Sequence, residues 1–183
     1  MDSQLLDEPL LTRPDATTIR MERMLPANID RVWSYLTDPD LRAKWLGAGP
    51  MGAAIGAPLT LIFRPGDLSG GLDRDGNPVA SGTVFHELHG VVTRFEPPHV
   101  LAFNWQADGK GSECTFELTA MGDQTRLIVS HIGIATADRR AGTSTGWHVH
   151  IGILIDVLAG RAPRLFWPEN KRLGPVYAQL MAD

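Results

Sequence analysis

Between Pro58 and Gly133, six segments of alternating polar and apolar residues follow one another, at 58–64, 81–87, 90–95, 99–106, 111–120 and 124–133. Gly or Pro separates them, and no helical period intervenes. Parallel strands need a crossover, usually a helix, between each pair. This run offers no such helix, so it reads as an antiparallel meander. The period then changes from two to 3.6. Trp147, Ile151, Leu154, Ile155 and Leu158 form one stripe, and His148, Gly152, Asp156 and Ala159 another, on a helix that opens at Thr145 or Gly146 and stops at Gly160. A strand at 17–25, apolar mainly at odd positions, precedes these and makes seven. The expected class is α+β, with a seven-stranded antiparallel sheet curled around one long C-terminal helix.

Two short helices fit between the first strand and the meander. Asn28 is placed to cap one carrying Ile29, Val32, Trp33 and Leu36, and Asp38 followed by Pro39 is placed to start a second, carrying Leu41, Trp45 and Leu46. Residues 1–16 lack periodicity and read as a loosely ordered arm; 17–160 form the domain, and 161–183 a tail docked on it with a short terminal helix. The Gly- and Asp-rich stretch from Pro65 to Pro78 is the longest expected loop, placed to lie over a cavity mouth.

At 183 residues and 43% hydrophobic, the chain suits one compact core. A net charge of −4 provides no basic field for nucleic acid or anionic lipid. The acidic opening from Met1 to Glu8 lacks the basic start and hydrophobic run of a secretory signal, so no export is expected. The apolar stretch from Val149 to Ala159 is about half the roughly 20 residues that span a bilayer. Cys114 is the single cysteine and has no partner for an intrachain disulfide, which fits a reducing cytoplasm.

Short motifs then resemble, in order, the family of homologues of the heat-shock-protein-90 ATPase activator. Val32-Trp33 with Leu36-Thr37-Asp38-Pro39 and Lys44-Trp45 comes first. Gly82-Thr83-Val84, Phe95-Glu96-Pro97-Pro98, His99-Val100-Leu101 leading to Trp105, and Thr125 to His131 follow. Gly146-Trp147 running to Leu158-Ala159-Gly160 closes the match, which covers roughly 17–160. The wider group, related to START lipid-transfer domains and polyketide cyclases, implies a helix-grip fold with a cavity between sheet and helix. Its members bind lipids, hormones or polyketides, act as cyclases or assist a chaperone, so the resemblance implies a fold more than one function. The stretch between Arg64 and Ala80 and the tail after Gly160 depart from the family pattern.

The residues expected to line a ligand site are Trp45, Phe63, Phe85, Phe103, Trp105, Phe116, His131, Trp147, His150, Ile151 and Leu154. The same side chains would equally pack an ordinary core. His131 and His150 are the polar pair expected inside, either as acid and base or as neutral rings bonded within the protein.

His148 and His150 lie about 200° apart around a helix and cannot share a metal ion. His86 and His89 read as exposed residues around a turn before Gly90, and the Asp73 to Asn77 stretch as a solvated turn without a full calcium ligand set. Ser130, Ser144, Thr145 and Cys114 lack an evident activating base. Asp138-Arg139-Arg140 reads as a solvated loop before the long helix. Neither metal nor cofactor is expected. The expected partner is a small apolar or aromatic molecule, held without catalysis. The alternatives are a cyclase- or hydrolase-like enzyme using His131 and His150, or a chaperone-associated domain. A homodimer is compatible with the sequence.

Overall fold

The computed structural model describes residues 8–105 and 111–182. The order of elements is β1 (Ile19–Leu25), α1 (Ile29–Thr37), α2 (Pro39–Arg42), β2 (Pro58–Phe63), a 3-10 turn at Asp67–Ser69, β3 (His86–Glu96), β4 (Val100–Asn104), β5 (Glu113–Met121), β6 (Gln124–Ile132), α3 (Ala137–Leu158) and α4 (Phe166–Leu180). The strands form one antiparallel sheet in the order β1-β6-β5-β4-β3-β2, and α3 lies on its inner face, the helix-grip arrangement.

The sheet has six strands where the sequence pattern predicts seven. The segments at 81–87 and 90–95 share one eleven-residue strand, β3, and 81–85 lies outside it. Gly90 reads as a break in the sequence, but it is where two backbones approach closely. A Cβ at Gly90 would sit 2.3 Å from the Asn104 carbonyl oxygen of β4, so only glycine fits and the strand runs through. His86 and His89 therefore stand on a strand and not around a turn. The end of the predicted fourth segment, Gln106, lies outside the described residues.

Register follows the alternation. Leu101 faces Phe116, Phe116 faces Val129, Phe103 faces Cys114, and Cys114 faces His131. All six of these side chains are buried, so one continuous apolar surface crosses β4, β5 and β6. Asn28 caps α1 through Arg31 N–H at 3.0 Å, and Asp38 accepts from Asp40 and Leu41 N–H at 2.9 and 3.0 Å with Pro39 at the first helical position. At the end of α2, buried Arg42 donates to the carbonyls of Leu36, Thr37, Gly47 and Gly49 and so holds the chain that positions Trp45.

α3 begins about two turns before the expected start at Thr145. Thr136 caps it, and Ala137–Leu158 make 22 helical residues. Its first turns hold Gly142, Ser144, Thr145 and Gly146, which carry no apolar period to read. The Asp138–Arg140 cluster is consequently not a loop but the first turn of α3. Arg140 is 2% exposed and donates to the carbonyls of Ala16 and Met181.

The tail forms a fifteen-residue helix, longer than predicted, packed against α3. Its orphan Trp167 N–H donates to the buried Ser69 Oγ at 3.0 Å, which ties the start of α4 to the 3-10 turn. In the arm, Leu11 is 2% exposed and its N–H donates to the Tyr177 hydroxyl of α4. No helix among the described residues is long and apolar enough to cross a membrane.

Candidate functional site

α3 shows three faces, each set by spacings of three or four residues. Trp147, Ile151, Leu154 and Leu158 are buried in the core. Arg140, Ser144, His148, Gly152 and Asp156 form a buried polar stripe. Several of its members meet α4 and the arm: His148 Nδ1 lies 2.8 Å from the Tyr177 hydroxyl, and Asp156 accepts from Arg164 and Arg161. A Cβ on Gly152 would lie 2.5 Å from the Arg164 guanidinium, so this glycine lets Arg164 lie on the helix. Burial alone would raise the Asp156 pKa, but the hydrogen bonds from Arg164 and Arg161 outweigh it and hold the carboxyl at about 2.

The third face is Gly142, Gly146 and His150. A Cβ on either glycine, Gly142 exposed and Gly146 half-buried, would meet no atom within 4 Å. The open space is a cavity of about 320 Å³, within the range of small-molecule sites. Its apolar walls are Trp147 on α3, Trp105 after β4, Phe63 at the end of β2, and Phe166 and Trp167 on α4. Trp105 meets Trp147 at 5.7 Å and Phe63 at 6.1 Å, so these rings support one another. Phe85 and Arg74 are exposed residues of the cavity wall, which Arg64, Thr143 and Asn170 also line.

Five of the predicted site residues line this cavity: Phe63, Phe85, Trp105, Trp147 and His150. Trp45, Phe103 and Phe116 do not; they border a crevice of about 10 Å³, no more than a packing defect beneath the sheet. Ile151 and Leu154 are fully buried core residues. His131 also stands apart from the cavity. Its Nδ1 accepts from Trp147 Nε1–H at 3.1 Å, its Nε2 lies 2.7 Å from Ser112 Oγ, and Trp105 covers the ring at 5.1 Å. Burial pushes its pKa down to about 4, so it stays neutral and positions Trp147.

His150 is the histidine of the cavity wall. Its Nδ1 donates to the Trp45 carbonyl at 2.6 Å, because a carbonyl can only accept, and Nε2 is then a bare acceptor without a partner among the described residues. Burial drives its pKa down to about 4 against the opposing pull of that carbonyl. Trp45 thus sets the tautomer of His150 from outside the cavity. His86, read from sequence as an exposed loop residue, lines the wall and stacks on Phe63 at 6.1 Å.

Sequence reasoning missed Gly142, Gly146, Arg64, Phe166 and Trp167. The signal for the two glycines was their spacing of four, with His150 four further on, along a helix that otherwise has little reason to carry glycine.

The chain is similar to several solved structures. A protein of Bordetella parapertussis, encoded by gene BPP1335, shares 33% identity and a TM-score of 0.74, the match covering 94% of this chain and 90% of that one. CalU16 of Micromonospora echinospora shares 22% identity at TM-score 0.64, covering 91% and 89%. DynU16, a putative protein in the dynemicin biosynthetic locus, shares 26% identity at TM-score 0.57, covering 84% of this chain and 51% of that one. No curated protein matches the chain. Residues 26–159, from just after β1 to the end of α3, match the model of one family, and that span contains five of the six strands, the long helix and most of the cavity wall. The chain belongs to the Activator of Hsp90 ATPase homolog 1-like protein family.

Proposed function

We propose that this protein holds a small apolar or aromatic molecule in the cavity between α3, α4 and the open end of the sheet. The observation that carries the reading is the Gly142-Gly146-His150 face. Glycine inside a helix costs about 1 kcal/mol relative to alanine. Two glycines facing empty space serve no packing need, and their effect is to keep room in front of an aromatic wall. His150 Nε2 supplies one acceptor there, suited to a hydroxyl or N–H of the ligand.

Holding fits better than turnover. The expected acid–base pair is not assembled, because His131 is turned toward Trp147 and Ser112, and the other histidine of the wall, His86, is exposed and stacks on Phe63. The lone Cys114 is buried, and burial raises its thiol pKa, so it is a structural side chain suited to a reducing cytoplasm. Titration with 2-naphthol, followed by quenching of Trp105, Trp147 and Trp167 fluorescence, tests the reading. Saturable quenching in the wild type that disappears in Gly146→Leu, with circular dichroism unchanged, supports it. Absence of binding, or equal binding by both proteins, overturns it.

A further inference from the structure

Arg64 stands out among the charged groups. Among the described residues, the other buried or half-buried arginines (Arg13, Arg20, Arg23, Arg42, Arg126, Arg140 and Arg164) each bond a carboxylate or a backbone carbonyl. The half-buried Arg64 follows β2 directly and lines the cavity. Its Nε is buried with no hydrogen-bond partner among the described residues, and its guanidinium has no ion pair there. An unpartnered buried donor of a charged group is costly, so native structures rarely leave one.

The second cavity cation, Arg74, is likewise without a partner among the described residues. Two of the three loop carboxylates, Asp67 and Asp73 but not the exposed Asp75, are held by backbone N–H groups. Asp67 accepts from Gly82 N–H through both oxygens, at 3.0 and 3.2 Å. Asp73 accepts from the N–H groups of Asp75 and Asn77 at 2.9 and 2.8 Å, closing the turn that carries Arg74. Among the described residues neither Asp67 nor Asp73 pairs with an arginine, and two positive side chains stand on an apolar cavity.

From this we infer that the ligand is an amphipathic anion: an aromatic or alkyl body lies against Trp105, Trp147 and Phe63, and its carboxylate pairs with Arg64, with Arg74 adding to the field. The inference rests on the pocket reading above. A guanidinium fork matches a carboxylate in two parallel hydrogen bonds, which gives orientation as well as affinity. It also explains why an acidic protein, at net charge −4, keeps two cations beside an apolar cavity.

The test compares naphthalene-2-carboxylate with naphthalene-2-carboxamide, which share shape and differ in charge, on the wild type and on Arg64→Gln, Arg64→Lys and Arg74→Gln, with apo melting temperatures as a check on folding. The wild type is expected to prefer the carboxylate on the order of tenfold, as hydrogen bonds to charged groups imply. Arg64→Gln is expected to erase that preference without weakening the carboxamide, and Arg64→Lys to keep part of it. Arg74→Gln, an exposed loop change, stays folded and is expected to lower the preference to a smaller degree. Equal affinity for the two probes overturns the anion inference while leaving the pocket reading intact. A preference that survives Arg64→Gln unchanged also overturns it. Failure of both probes to bind the wild type overturns the inference together with the pocket reading.

Discussion

His150 Nδ1 donates a proton to the backbone carbonyl of Trp45 across 2.6 Å, between residues 105 apart in sequence. One bond joins the chain after α2 to the middle of α3, and it decides which nitrogen of the cavity histidine is left to a ligand.

If Nε2 is the cavity acceptor, 2-naphthol binds more tightly than 2-methylnaphthalene, which has the same shape and no donor. The expected ratio is on the order of tenfold, one hydrogen bond in a dry site. His150→Phe keeps a ring in place and abolishes the ratio. Isothermal titration of both compounds on both proteins measures it; an unchanged ratio in His150→Phe rules the role out.

Gly146 separates stability from binding. Gly146→Ala adds a methyl group to open space and removes a helix glycine, so the protein gains about 0.5–1 kcal/mol in urea unfolding. Gly146→Leu fills the cavity and prevents 2-naphthol binding. A destabilised alanine variant would show that the space in front of Gly146 is not open.

Three buried histidines make the fold sensitive to mild acid. Burial pushes His131, His148 and His150 each down to about 4, with the Arg23 charge also lowering His148. In the unfolded chain they titrate near 6.5. Each therefore contributes stability that is fully present above about pH 6.5 and is lost as the pH falls through about 4. Near pH 5, unfolding takes up close to three protons, one per histidine. Urea denaturation between pH 7 and 5 gives the slope, and His148→Gln lowers the uptake by one. A flat profile would contradict the buried neutral rings.

Tyr177 clamps the arm. Its hydroxyl accepts from Leu11 N–H at 3.0 Å and is thereby left to donate to His148 Nδ1 at 2.8 Å. Tyr177→Phe leaves both groups unpaired in a buried site, at a cost of about 1–3 kcal/mol. Residues 8–12 loosen, and chymotrypsin cleaves after Leu11 faster than in the wild type. Equal cleavage rates would mean that the arm is held by Leu11 packing alone.

The strands, their register and the helix caps were legible because each depends on neighbours close in sequence. Alternation alone placed Cys114, Phe116 and His131 on one face, and Asn28 and Asp38 declared their helices. The turn expected around His86 and His89 failed at Gly90, whose role is set by the Asn104 carbonyl on another strand. The start of α3 escaped because its first turns face a cavity and a polar cluster, and neither leaves a hydrophobic period.

The amino-acid sequence by itself determined the α+β class, the antiparallel order and the long gripping helix, since periodicity and capping are local properties of the backbone. Only tertiary structure decided where space remains. A cavity is what packing fails to fill, and that depends on which side chains from distant segments meet. His131 and His150 have the same chemistry and the same buried environment, and the fold gave one of them to Trp147 and the other to the cavity wall.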